Sequence, residues 1–138
     1  MGRACSDMPI LVVEDERLFR VAVAGMLRED GHDVLEFAQP AHLPSLLAIG
    51  RVDLLLCDYE LPGENGLALA DRFHAAHAAR PIILVTGYRT HRLDTEAARR
   101  PLLHLVEKPV RYDELHALIH QLVIASPPPA LGAPTSMR

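Results

Sequence analysis

The sequence predicts an α/β fold with a doubly wound parallel sheet, whose five strands alternate with five helices along the chain. Three observations support this prediction. Continuous apolar runs at residues 10–13, 54–57 and 82–85 are typical of strands buried on both faces of a parallel sheet. Stretches with an apolar residue at every third or fourth position, typical of amphipathic helices, lie between them. The chain has 138 residues, 49% of them hydrophobic, which suffices for the core of one domain.

The predicted strands and helices alternate along the chain. Strands are predicted at residues 10–13, 33–38, 52–58, 81–87 and 102–109. Helices are predicted at residues 16–31, 41–50, 65–79, 90–100 and 111–125. Apolar strands that alternate with amphipathic helices indicate a parallel sheet with helices packed on both of its faces.

Each helix except the fourth has its own sequence signal. The first has an apolar residue at every third or fourth position and is closed by Gly31. The second has Pro44 near its start and Gly50 at its end. The third is started by Asn65, a preferred N-cap residue, and the fifth carries one apolar stripe. The segment 90–100 is polar, and either a short helix or an irregular segment fits it.

Composition divides the chain into three parts and excludes two classes of function. Residues 1–8 are expected to be a flexible N-terminus, residues 9–125 the folded domain, and residues 126–138 a flexible, Pro-rich tail. A net charge of −4 gives no basic surface for direct binding of nucleic acid. No apolar run approaches the roughly 20 residues that a membrane span needs.

The two cysteines and the N-terminus indicate the compartment. Cys5 lies in the expected flexible N-terminus and Cys57 in a predicted core strand, so a structural disulfide is not expected. The start of the chain also has no apolar stretch of the kind that a secretory signal carries. The sequence therefore predicts a cytoplasmic protein.

Polar and charged side chains stand where the predicted strands end. Glu14 and Asp15 end the first strand, and Asp58 ends the third. Thr86 ends the fourth strand and Lys108 the fifth. Ligands of open α/β sheets bind beyond the carboxyl ends of the strands, so we expect three carboxylates, a hydroxyl and an ammonium group to lie at one edge.

This combination of groups suits phosphoryl transfer. Clustered carboxylates repel one another, and Mg²⁺, which prefers oxygen ligands, relieves that repulsion. The ammonium and the hydroxyl can bond phosphoryl oxygens, and an aspartate can itself be the nucleophile that becomes an acyl phosphate. No Walker loop or arginine finger is evident, so nucleotide hydrolysis fits poorly.

Four blocks of the sequence resemble the signature blocks of response-regulator receiver domains of two-component signal transduction. In chain order they are "VVEDE", "LLLCDYELPGENGLALA", "VTGY" and "VEKPV". The resemblance spans residues 9–124 and implies a flavodoxin-like fold with strand order 2-1-3-4-5. A stand-alone receiver is the leading interpretation, and a receiver excised from a hybrid kinase is the other.

The resemblance implies a role for each acidic residue. Asp58 matches the aspartate that accepts a phosphoryl group from a phosphohistidine on a histidine kinase or histidine phosphotransferase. Glu14 and Asp15 match the acidic pair that holds Mg²⁺ together with Asp58. Glu60, two residues further on, matches the position whose backbone carbonyl binds the metal, and its side chain would add a fourth carboxyl nearby.

The resemblance also implies how phosphorylation is signalled. Thr86 matches the switch hydroxyl that moves to the phosphoryl oxygen, and Lys108 matches the lysine that bonds the phosphate. The peptide bond before Pro109 is expected to be cis. Receivers often have Tyr or Phe where this chain has Leu105, so coupling would depend on the threonine and its loop. Tyr88 is expected at the mouth of the site, where its ring hinders the attacking water and prolongs the phosphorylated state.

The leading hypothesis is a phosphorylation-dependent signalling switch that binds an unknown downstream protein or relays phosphate. Its only catalysis would be its own phosphorylation and slow autodephosphorylation. A phosphatase of the haloacid-dehalogenase type is one alternative, although such enzymes place the nucleophile on the first strand. A degenerate receiver that binds partners independently of phosphorylation is the other. The resemblance also admits a homodimer through the fourth and fifth helices.

Two pairs of histidines have helical spacing. His74 and His77 are three residues apart in the third predicted helix, and His116 and His120 are four apart in the fifth. These spacings permit chelation of Zn²⁺, but no cysteine or carboxylate completes either site in the sequence. Exposed polar helix faces are therefore the favoured interpretation.

Overall fold

The computed structural model describes residues 8–125, so the expected tail 126–138 and all but the last residue of the expected flexible N-terminus lie outside the described residues. The strands are Ile10–Val13 (β1), Val34–Phe37 (β2), Leu54–Asp58 (β3), Ile82–Thr86 (β4) and Leu103–Glu107 (β5). The helices are Arg17–Glu29 (α1), Leu46–Ile49 (α2), Gly66–Ala76 (α3), His91–Ala98 (α4) and Tyr112–Ala125 (α5), with a 3₁₀ turn at Pro40–His42. Between residues 8 and 125, none of the helices combines the length and the apolar character that crossing a membrane requires.

The five strands form one parallel sheet in the order β2-β1-β3-β4-β5, as predicted. Val13 at the end of β1 lies opposite Cys57, and Asp58 at the end of β3 lies opposite Val85. The residues that end β1, β3 and β4 are therefore neighbours at one edge of the sheet.

Successive residues of the central strands enter two different cores. Leu55 and Cys57 of β3 pack with Phe73 on the face covered by α2, α3 and α4. Leu54 and Leu56 of the same strand pack on the opposite face, which α1 and α5 cover. Because side chains alternate between the faces of a strand, β1, β3 and β4 are sealed from solvent on both sides.

The second helix differs most from its prediction. A helix is predicted over residues 41–50, but the structure has a 3₁₀ turn at Pro40–His42 and then a single helical turn at Leu46–Ile49. Pro44 is the cause, because the residue before a proline is disfavoured in the helical conformation. Leu43 accordingly adopts extended backbone angles, φ −72° and ψ 136°.

Side-chain caps determine where two helices begin. The Asn65 side chain accepts a hydrogen bond from the backbone N–H of Ala68 at 2.9 Å, which confirms the predicted N-cap of α3. The Thr90 hydroxyl does the same for the N–H of Leu93 at 3.0 Å. The segment 90–100, which the sequence left open, is therefore helical over most of its length.

The third helix ends three residues earlier than predicted, at Ala76 rather than residue 79. His77 leaves the helical conformation, with φ −137° and ψ 65°. Its imidazole lies 3.0 Å from the carbonyl oxygen of Leu46 and packs on the Phe73 ring at 5.0 Å between centroids. His77 therefore connects α3 to α2, and it does not belong to an exposed polar face as the sequence predicted.

Two glycines occupy positions that disfavour a side chain. Gly31 follows α1 with a φ of 95°, the left-handed region that favours glycine, and closes the helix as predicted. At Gly66, the first residue of α3, a Cβ atom would collide with the carbonyl oxygen of Asp58. It would also lie 2.5 Å from Leu84 Cδ1 and 2.9 Å from Tyr59 Cα. The start of α3 is thus pressed directly onto the backbone that follows β3.

Gly66→Ala is expected to destabilise the domain by roughly 2 kcal/mol or more, because the backbone around Asp58 has to move to admit the methyl group. Gly25→Ala is the matched control. It lies within α1, where a Cβ has no neighbour within 4 Å and alanine is favoured over glycine by about 1 kcal/mol. Urea unfolding measures both variants, and equal free energies of unfolding for the two would contradict the prediction.

Candidate functional site

The C-terminal edge of the sheet gathers polar side chains from four strands. Glu14 follows β1, Asp58 and Thr86 are the last residues of β3 and β4, and Lys108 follows β5. Glu14, Asp58 and Thr86 are buried, whereas Asp15 is exposed. Glu14, Asp15 and Asp58 each offer one oxygen within 4.8 Å of the others. The structure therefore brings the predicted strand-end residues to one edge.

The Lys108 ammonium is the cation of this site. Its Nζ atom donates a hydrogen bond to Asp58 Oδ2 at 3.3 Å and lies 3.5 Å from Glu14 Oε1. A third carboxylate, that of Glu16, lies 3.9 Å away. The ammonium also stands 5.2 Å from the centroid of the Phe19 ring, within the range of a cation–π contact. One positive charge thus interacts with three carboxylates and one aromatic ring.

The three clustered carboxylates fit a magnesium ion. Within the described residues, the buried oxygens Glu14 Oε1 and Asp58 Oδ1 accept no hydrogen bond. A buried carboxylate oxygen without such a bond is costly, and Mg²⁺ binds oxygens of this kind while keeping several waters. The Glu60 side chain is exposed and lies outside this cluster, so a contribution through its backbone carbonyl stays a prediction.

Burial makes the two inner carboxyl groups hard to ionise. It raises the pKa of Glu14 from 4.5 to about 7, against the backbone N–H of Glu16, which donates to Oε2 at 2.9 Å. Repulsion from Asp58 acts in the same direction as burial. Burial also raises the pKa of Asp58, against the favourable charge of Lys108. For Lys108 itself, burial lowers the pKa, but Glu14 and Asp58 together outweigh it and raise the pKa. An added cation would relieve this repulsion.

The Thr86 hydroxyl is engaged with the loop between β4 and α4. Its Oγ1 atom donates to the carbonyl oxygen of Tyr88 at 3.3 Å and accepts from the Tyr88 N–H at 3.2 Å. The backbone carbonyl of Thr86 accepts a hydrogen bond from the N–H of Lys108 at 2.8 Å, and the Lys108–Pro109 peptide bond is cis, as predicted. The Thr86 hydroxyl is therefore bonded to the backbone of Tyr88.

The two other predicted switch residues lie in different environments. Tyr88 is 75% exposed and lines, with Glu60, an open cavity of about 660 Å³ between α3 and α4. Leu105 is half-buried, lies opposite Leu84 of β4, and packs against the core under α3 and α4. The structure therefore places a compact aliphatic side chain at position 105, and the effect of Tyr88 on water stays a prediction.

Glu16 and Phe19 are neighbours of the site that the sequence analysis did not single out. The acidic run "EDE" that ends at Glu16 was a signal for the first of them. No sequence signal marks Phe19, because its contact with Lys108 depends on how α1 packs beside the end of β5. The Phe19 ring also lies 6.2 Å from the ring of Tyr112, between centroids, at the start of α5.

Comparison with known proteins identifies one family. The family model of the response regulator receiver domain matches residues 10–120. The transcriptional regulatory protein TcrA of Mycobacterium tuberculosis is 34% identical over an alignment of 143 positions, and the alignment covers 96% of this chain and 54% of TcrA. The DNA-binding transcriptional regulator NtrC of Azospirillum brasilense is 30% identical over 125 residues, which cover 91% of this chain and 26% of NtrC. The chain thus spans only part of the length of these relatives.

A solved structure supports the fold. The response regulator receiver domain protein (CheY-like) from Methanospirillum hungatei superimposes with a TM-score of 0.79. The superposition covers 86% of this chain and 95% of that one, at 23% sequence identity. At this level of identity the likeness shows the shared fold alone.

In the absence of divalent cations, Glu14→Gln is expected to stabilise the domain near pH 8. The substitution removes a carboxylate that ionises against its burial, and one pKa unit corresponds to about 1.4 kcal/mol. The gain should be on the order of 1–3 kcal/mol. Thermal unfolding in the presence of a chelator, at pH values from about 8 down to about 5, measures the difference.

The sign of the pH dependence is fixed by the direction of the Glu14 shift. The native pKa, about 7, lies above the ordinary 4.5, so the native state takes up a proton as the pH falls between these values and the unfolded state does not. The wild type therefore gains stability on acidification, and the difference in the free energy of unfolding between the wild type and Glu14→Gln becomes smaller. Glu29→Gln, at an exposed carboxylate of α1, is the control. A gap that is the same near pH 8 and pH 5 would contradict the prediction.

Proposed function

The chain belongs to the response regulator receiver domain family, and we propose that it is a switch phosphorylated on Asp58 with Mg²⁺ as its cofactor. The observation that best supports this is the buried Asp58 carboxylate beside the Lys108 ammonium and the Glu14–Asp15 pair. The donor is a phosphohistidine on a histidine kinase or histidine phosphotransferase. The output is a changed affinity for a downstream protein, or relay of the phosphoryl group.

Asp58 acts as the nucleophile. Its Oδ2 atom is held by Lys108, whereas Oδ1 accepts no hydrogen bond from any described residue. A carboxylate oxygen attacks phosphorus in line with the imidazole nitrogen of the donor. The P–N bond breaks, a P–O bond forms, and the histidine leaves as free imidazole with a proton from solvent. The product is an acyl phosphate on Asp58.

The other strand-end residues help to neutralise the charge of the phosphoryl group. Glu14 and Asp15 would hold Mg²⁺ with Asp58 and the backbone carbonyl of Glu60. The chemistry that the ion supplies when bound is neutralisation of the carboxylates and of the phosphoryl oxygens. Lys108 Nζ, which lies 3.3 Å from Asp58 Oδ2, needs only a small displacement to donate to a phosphoryl oxygen instead.

The signal leaves the site through Thr86. Its hydroxyl exchanges two bonds with the Tyr88 backbone for one with the phosphoryl group, and the loop between β4 and α4 moves with it. Leu105 supplies no aromatic ring to follow this movement. The response should therefore be concentrated in the loop and the start of α4.

The two alternative functions have less support. In a phosphatase of the haloacid-dehalogenase type the nucleophile follows the first strand, whereas here that position is Glu14, with Oε2 bonded to the Glu16 N–H. One observation, Leu105 in place of an aromatic residue, favours a binding module that is independent of phosphorylation. We propose no catalysis beyond the domain's own phosphorylation and its slow autodephosphorylation.

Incubation of the protein with acetyl phosphate and Mg²⁺ should add one phosphoryl group, measured by intact mass. The gain should vanish in Asp58→Asn and after removal of Mg²⁺. Asp113→Asn, at an exposed carboxylate of α5, is the matched control and should still gain the group.

Other outcomes would contradict the proposal in distinct ways. A gain that persists in Asp58→Asn would place the acceptor elsewhere. No gain from acetyl phosphate, nor from a phosphorylated histidine phosphotransferase, would favour the binding module. Repeated turnover of a phosphate ester would favour the phosphatase.

Tyr88→Ala is expected to shorten the half-life of the phosphorylated domain several-fold, because the ring no longer obstructs the water that attacks the acyl phosphate. Leu47→Ala, at an exposed residue of α2, is a control with nearly the same exposure, 76% against 75% for Tyr88. Loss of the phosphoryl group is followed by intact mass after removal of the donor. An unchanged half-life in Tyr88→Ala would show that the ring does not obstruct water.

A further inference from the structure

The Phe19 ring lies beside the Lys108 ammonium, although it carries neither a charge nor a hydrogen-bonding group. Its centroid is 5.2 Å from Lys108 Nζ. The ring is half-buried and packs against the core that α1 and α5 cover. The ring of Tyr112, the first residue of α5, lies 6.2 Å away between centroids and is tilted by 35°. Packing therefore holds the Phe19 ring in place, whereas the four-carbon stem of Lys108 is flexible.

Three carboxylates compete for the Lys108 ammonium. Asp58 Oδ2 accepts a hydrogen bond from Nζ at 3.3 Å, and Glu14 Oε1 lies 3.5 Å away, and both of these side chains are buried. The third carboxylate, that of Glu16, lies 3.9 Å away, and its side chain is 61% exposed. An ammonium drawn towards Glu16 and solvent would leave the place from which it donates to Asp58. Attraction between charges alone therefore does not fix the ammonium at Asp58.

An aromatic ring can hold the ammonium without adding another charge to the site. The face of the ring attracts a cation through its quadrupole. It brings no net negative charge to a place where buried carboxylates already repel one another. A lysine has three N–H donors, and a ring contact does not occupy them as a carboxylate oxygen does. The Phe19 ring therefore does not compete with a phosphoryl oxygen for Lys108.

We propose that Phe19 is a positioning residue for phosphorylation, and that it acts by holding the Lys108 ammonium at Asp58. This inference rests on the proposed function of Asp58 as the phosphoryl acceptor. The ring keeps Nζ at the distance of 3.3 Å from Oδ2, where the ammonium meets the incoming phosphoryl oxygens without a search among rotamers. Without the ring, Lys108 also occupies positions nearer to solvent, and the fraction of molecules ready for the reaction falls.

The test compares two substitutions of Phe19 in the rate at which acetyl phosphate and Mg²⁺ phosphorylate the full chain, followed by intact mass. Leucine keeps an apolar side chain but has no ring, whereas tyrosine keeps the ring. We expect Phe19→Leu to be slower by about threefold to tenfold, and Phe19→Tyr to stay within about twofold of the wild type. Phe37→Leu is the matched control and should react like the wild type. It makes the same change at a half-buried ring of β2 that packs against the opposite core.

Two further measurements show whether Phe19 acts through Lys108. In a Lys108→Met background, Phe19→Leu should leave the remaining rate unchanged, because no ammonium is present for the ring to hold. The second measurement is proton NMR and requires no phosphorylation. The protons on Cε of Lys108 should be shifted upfield by the ring in the wild type and in Phe19→Tyr, and should return to the ordinary position for lysine in Phe19→Leu.

Three results would overturn the proposal. The first is an equal rate for the wild type and Phe19→Leu in a domain that does accept the phosphoryl group. The second is an equal slowing by Phe19→Leu with and without Lys108→Met, which would assign the effect to packing alone. The third is an ordinary lysine shift for the Cε protons of Lys108 in the wild type, which would show that the ring does not hold the ammonium.

Failure of the proposed function would have a different signature. A wild type that gains no phosphoryl group from any donor would contradict phosphorylation of Asp58 itself, whatever the NMR spectrum of Lys108 shows. Circular dichroism should show that Phe19→Leu folds, because the substitution keeps an apolar side chain against the core. Phe19→Met, which also lacks a ring, takes its place if it does not.

Discussion

Buried negative charge that one cation cannot neutralise is the constraint on which the rest of this structure depends. Glu14 and Asp58 are buried at the end of the sheet, and the Lys108 ammonium faces both. Buried charged groups lower the stability of the fold unless they are paired. Such a loss of stability is common at functional sites. Strands sealed on both faces, and the close contact of α3 at Gly66, hold them in place. The free energy that remains uncompensated favours the binding of a cation.

The residues at the strand ends could be predicted because their signals are local. Short apolar runs that stop at Glu14, Asp58 and Thr86 mark strands and their ends within a few residues of sequence. One general property of parallel sheets, that their carboxyl ends share an edge, then brings these side chains together. The same reasoning gave the alternation of strands and helices, which the structure confirms.

The features that the sequence did not predict have two causes. Some depend on contacts between segments that are distant in the sequence, and others on residues that are compatible with two different local structures. Phe19 meets Lys108 only because α1 packs beside the end of β5, and no local pattern records that contact. The position of Glu16 near Lys108 was not predicted, because an acidic residue at this place in the sequence also fits the start of a helix. Pro44 is favourable in the first turn of a helix, yet it also disfavours helical backbone before it, and the second effect prevailed.

The two-sided burial of β1, β3 and β4 limits where such a domain can change during evolution. Each apolar side chain of these strands belongs to one core or the other, and the polar residues of the site end the strands or follow them directly. Tolerated substitutions therefore accumulate on the outer faces of the helices, which contact neither the cores nor the carboxylates. Gene duplication can then give copies whose outer helix surfaces differ while the side chains at the strand ends stay the same.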